Sequence, residues 1–97
     1  MPYIKDENRD KFSVPLTELT ESITCEGDLN YIITSLIHLQ LNKRGLNYQN
    51  INNLIGVLEC AKLELYRVIA APYENLKIKE NGEVSTLDEN FLKTINK

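Results

Sequence analysis

Ile51-Asn52-Asn53-Leu54-Ile55-Gly56-Val57-Leu58-Glu59-Cys60-Ala61-Lys62-Leu63-Glu64-Leu65-Tyr66-Arg67-Val68-Ile69-Ala70-Ala71-Pro72 is the stretch that decides the fold. Ile51, Leu54, Ile55, Leu58, Ala61, Leu65 and Ile69 recur at three- and four-residue steps, the period of one helix face. Val57 and Val68 lie at the edge of that stripe. Gly56, Leu63 and Ala70 recur every seven residues on nearly the opposite side, and small residues there let a second helix approach closely. Gln49, Asn53, Cys60, Glu64 and Arg67 form the solvent-facing strip. The reading is one long helix, opened by Asn47 or Asn50, that ends or kinks near Pro72, whose ring removes a donor and clashes with the preceding turn.

Upstream, Leu29, Ile32, Ile33, Leu36 and Leu39 make the apolar stripe of another helix, with Tyr31, Ser35, His38 and Asn42 opposite. Asp28 offers its N-cap, Lys43 and Arg44 suit its negative end, and Gly45 its C-terminal turn. Before it, Phe12, Leu16, Leu19 and Ile23 predict a first helix over Val14 to Thr24, capped by Ser13, with Pro15 in the first turn and Gly27-Asp28 as the break. Residues through Asp10 read as irregular or a short turn. Downstream, Tyr73 to Lys79 extend the helical pattern, Asn81-Gly82 marks a turn, and Thr86 heads a tail helix with Leu87, Phe91, Leu92 and Ile95 on one face. The fold class is therefore all-α, a small helical bundle of three main helices with a long third helix and a short tail. It is read as a single helical domain over residues 1–97, with 85–97 as the added tail.

Composition narrows the function classes. The 97 residues carry 11 basic and 14 acidic side chains, a formal charge of −3, and lack the basic field that duplex nucleic acid attracts. No apolar run approaches the roughly 20 residues a bilayer requires. Without a leader-like segment, a cytoplasmic setting is expected, with Cys25 and Cys60 as free, buried thiols. A single histidine, His38, and two unpaired cysteines do not supply the close-spaced ligand pairs of a zinc site. Cys60 has Glu64 one turn away, the wrong sign of charge for an activated thiolate. Glu59 and Glu64 point to different sides and do not converge as magnesium requires, so an all-α nucleotide pyrophosphohydrolase stands only as a degenerate alternative. Neither an enzyme nor a cofactor is expected.

Polar groups on the long helix give the candidate ligand site: Asn52, Glu59, Lys62, Tyr66, Arg67 and Tyr73. One reading is a pocket in which Lys62 and Arg67 reach a small anionic ligand such as a nucleotide while Tyr66 and Tyr73 stack on a ring. The other is a set of surface ion pairs, Glu59 with Lys62 and Glu64 with Arg67. Gly56, Leu63 and Ala70 are the candidate contact of a homo-oligomer.

Several segments resemble a group of uncharacterised proteins encoded in bacteriophage and prophage regions. They are Met1-Pro2-Tyr3-Ile4-Lys5 with Arg9, Glu26-Gly27-Asp28-Leu29-Asn30-Tyr31 with Ile33-Thr34, Tyr48-Gln49-Asn50-Ile51-Asn52, Ile55 through Arg67, Ala71-Pro72-Tyr73-Glu74 and Glu80-Asn81-Gly82-Glu83-Val84. The resemblance runs in order over residues 1–84. This chain departs from it at Val68, where a second basic residue is usual, and in the tail. No established activity comes with the group. The resemblance implies a setting in the host cytoplasm and a mode of action: sequestering a host nucleotide messenger or inhibiting a host protein, or else a structural or assembly accessory.

Overall fold

A computed structural model describes residues 2–87. The chain is all-α, and among the described residues there is no strand. Helix α1 spans Asp6–Ser22, α2 Glu26–Arg44 and α3 Tyr48–Leu65. A π-helical turn, Tyr66–Ala70, joins α3 to α4, Ala71–Asn81, so the third helix is long and built from joined pieces. Packing divides the chain into two compact units, Met1–Lys62 and Leu63–Lys97.

The first helix differs from the sequence reading. It begins at Asp6, not Val14, and ends at Ser22. Asp6 and Glu7 supply negative charge to the positive end of the helix dipole. No side chain caps it. Ser13 is therefore an interior residue, whose carbonyl accepts from Thr17 Oγ1 at 2.9 Å. Pro15 also sits inside the helix and cannot donate to the carbonyl of Lys11 four residues back.

The break falls at 23–25, ahead of Gly27-Asp28, which lie in the first turn of α2. Asp28 still secures the helix start, but by reaching backwards. Its Oδ2 accepts from the Thr24 backbone N–H and from Thr24 Oγ1, both at 3.0 Å. These bonds, with a further one from the Cys25 side chain, hold the Asp28 carboxyl below its ordinary 3.8.

Gly45 ends α2 at a φ of 109°, a region L side chains rarely adopt, and its N–H donates to the Leu41 carbonyl at 2.8 Å. Asn47 then caps α3: its Oδ1 accepts from Asn50 N–H at 2.8 Å. Asn50 Nδ2 donates back to the carbonyls of Gly45 (2.9 Å) and Arg44 (3.2 Å), tying the end of α2 to the start of α3. Further on, the ladder changes register before Pro72. Ala71 N–H donates to the Tyr66 carbonyl five residues back, and the helix continues through the proline instead of stopping. Gly82, at a φ of 84°, ends α4. Beyond Leu87 the expected tail helix, with Phe91, Leu92 and Ile95, lies outside the described residues.

Burial departs furthest from the sequence reading. Of the expected α3 stripe, Leu54 alone is buried, at 4% exposure, and it is the sole buried residue among those described. Ile51, Ile55, Leu58, Leu65 and Ile69 are all exposed, as are Phe12, Leu16 and Leu19 of α1 and Leu29, Ile33, Leu36 and Leu39 of α2. Both cysteines are free, but exposed rather than buried. The periodicity says which apolar positions share a side of each helix, not which of them are enclosed.

Candidate functional site

One concavity is built by the N-terminal segment, which carries no helical periodicity. Pro2 to Lys5 are non-helical, and Ile4 N–H closes a short turn on the Pro2 carbonyl at 3.1 Å. Arg9, one turn into α1, fixes this segment. Its Nε donates to the Ile4 carbonyl at 2.7 Å, while its Nη1 lies 3.3 Å from Asp6 Oδ1. A carbonyl that would otherwise face water thus receives a charge-assisted bond, and the strap is held beside the helix. Between strap and helix lies an open groove of about 430 Å³, with Tyr3, Ile4, Phe12 and Leu16 as its apolar lining and Arg9 and Ser13 as its polar members. Lys11 Nζ stands 5.1 Å from the centroid of the Phe12 ring, a cation–π distance. Pro2 also shares a smaller cleft of about 130 Å³ with Val57, Cys60 and Ala61 of α3.

A second, smaller depression of about 240 Å³ lies at the C-terminal end of α2, lined by His38, Leu41, Asn42 and Leu46. His38 is exposed, as the sequence suggests.

The sequence-derived ligand residues fall in both units. Asn52, Glu59 and Lys62 belong to the first, where all three are exposed and Lys62 Nζ pairs with Glu59 Oε1 at 2.7 Å. Tyr66, Arg67 and Tyr73 belong to the second, with Arg67 Nη2 at 3.2 Å from Glu64 Oε2 and Lys77 Nζ 5.5 Å from the Tyr73 ring centroid. Both ion pairs anticipated from the spacing are formed. Neither cation stands as an unopposed positive group, and exposed pairs of this kind contribute about 0–1 kcal/mol. Of the candidate oligomer strip, Gly56 faces open space, with nothing within 4 Å of where a Cβ would sit. Leu63 is exposed and Ala70 half-buried, both in the second unit. Among the described residues no group of His, Cys, Asp or Glu is arranged to hold a metal ion, and no helix is long and apolar enough to cross a membrane.

Residues 1–84 match the family described as Domain of unknown function (DUF6899). The chain belongs to this family. No curated protein and no solved structure matches it. The DUF6899 match begins at residue 1, so it takes in the strap and Arg9, the groove's organising residues. Tyr3, Ile4, Arg9 and Phe12 were not among the site residues read from spacing. The signal for them was local: the Pro2-Tyr3-Ile4-Lys5 opening with Arg9 is one of the segments that carries the family resemblance.

Proposed function

We propose that this DUF6899 protein is a non-enzymatic binding module, a phage-type accessory that acts by occupying a host protein. The observation that supports this most is the groove under the N-terminal strap. It is lined mainly by apolar side chains, and its one cation, Arg9, is already engaged by the Ile4 carbonyl and Asp6. An apolar cleft with its charge internally satisfied suits an aliphatic or aromatic side chain from a protein partner better than a phosphate. The same logic weakens the messenger-capture reading at helix three, where Lys62 and Arg67 each have a carboxylate close by.

The test is a photo-crosslinking residue at Ile4 or Phe12 in full-length protein expressed in a bacterial host. The expected result is an adduct with one discrete protein, reconstituted from purified components and lost in Phe12→Asp and Arg9→Ala. Thermal-shift titrations against cyclic and linear nucleotides run beside it. A nucleotide that stabilises the protein and is recovered unchanged would replace this reading with messenger capture. Magnesium-dependent product from nucleoside triphosphates would overturn the non-enzymatic assignment.

A further inference from the structure

Helix α2 carries more apolar surface than a helix with one packing side requires. At 100° per residue, Leu39, Ile32, Leu36, Leu29, Ile33, Ile37 and Leu41 fall in that order across roughly 200° of arc. A helix apolar over so wide an arc is one enclosed by neighbours on more than one side. Ile32, Ile37 and Leu41 are half-buried, Leu29, Ile33 and Leu36, in the middle, are exposed at 40–49%, and Leu39, at one edge, is exposed at 65%. The first unit as a whole leaves large apolar side chains from Tyr3 to Leu58 at 36–80% exposure.

The charges of α2 say what fits there. Its first turn is acidic (Glu26, Asp28) and its last turn basic (Lys43, Arg44). Glu26 and Arg44 are 18 residues apart, five full turns, and so lie on the same flank of the exposed stripe. An antiparallel second copy of α2, centred between Thr34 and Ser35, places Ile33 against Leu36 of the other copy and Glu26 beside its Arg44. By two-fold symmetry each contact occurs twice, and the two helix dipoles oppose. We propose that the protein is a homodimer closed by antiparallel pairing of α2 along Leu29, Ile33 and Leu36, with Glu26–Arg44 pairs at both ends. This surface is separate from the strap groove and does not depend on the function proposed for it.

The test is sedimentation equilibrium on the full chain, with a charge-reversal cycle. Wild type should sediment at twice 11.2 kDa. Glu26→Arg and Arg44→Glu should each weaken dimerisation about tenfold, through two like-charge contacts. The double variant should regain most of the wild-type affinity. If these residues served only the helix dipole, the double variant would be the weakest of all, and that result would overturn the proposal. Leu36→Glu should reduce dimer affinity more than a hundredfold. Because this variant is also open to unfolding, the charge cycle, which leaves the apolar stripe intact, decides the matter. A wild-type monomer at millimolar concentration, or a dimer that none of these variants moves, would also overturn it.

Discussion

Helices α2 and α3 have similar lengths, 19 and 18 residues, yet they differ in what they bury. In α3 the apolar positions form a stripe that includes Leu54, the one residue enclosed among the described residues. In α2 seven aliphatic residues spread over half the circumference and none is enclosed. The rest of the α3 stripe is exposed like that of α2, and the difference is that α3 confines its apolar positions to a narrower arc. A broad arc calls for a further neighbour. The more amphipathic helix is thus the better candidate for an intramolecular anchor, and the evenly apolar one for an assembly surface.

The sharpest way to break this comparison is to truncate one leucine from each helix. Leu54→Ala should cost about 2–5 kcal/mol in chemical denaturation, the usual loss for an enclosed leucine, at every protein concentration. Leu36→Ala should cost under about 1 kcal/mol in dilute solution, where its side chain is half in water, and more as concentration rises. Equal losses independent of concentration at both positions would erase the distinction.

The joint between the two helices comes next. Asn50→Ala removes both side-chain bonds to the Arg44 and Gly45 carbonyls and should lower stability by about 1–3 kcal/mol. Gly45→Ala forces a Cβ onto a φ of 109° and should cost about 1 kcal/mol or more, with no clash to explain it, since the nearest side-chain atom is 3.9 Å away. Differential scanning calorimetry on the two variants checks both.

The smallest effect is at the N-terminus of α2. Asp28 is held below its ordinary 3.8 by the Thr24 backbone and hydroxyl bonds, so its folded form favours the carboxylate. A depressed carboxyl pKa contributes stability that is present above the unfolded value and is lost as pH falls through the lower folded value. NMR titration should therefore show the Asp28 carboxyl titrating below 3.8, with Thr24 and Cys25 amide shifts following it. Thr24→Ala should move the midpoint upward.

Much of this architecture is legible in the residues. Gly45 and Asn47 mark the joint because positive φ and an N-cap oxygen are chemical requirements met by few side chains. The start of α1 was hidden for the opposite reason. Asp6 through Lys11 contain no apolar period, and Pro15 looks like a first-turn proline when it is in fact interior. Asp28 was read as a cap in front of α2, but its side chain works from inside the first turn. The strap groove was invisible to periodicity, since Arg9 makes it through one bond to a backbone carbonyl. Exposure was the least readable property. Spacing says which positions share a side, while the neighbour that covers them is encoded in their complement, for α2 the second α2 that we propose.

Hydrogen–deuterium exchange followed along the full chain at high and low protein concentration tests that claim most directly. The account predicts that α2 amides between Leu29 and Leu41 are protected in concentrated solution and exchange faster on dilution, while those around Leu54 change little. Protection of α2 that is the same at every dilution would contradict it.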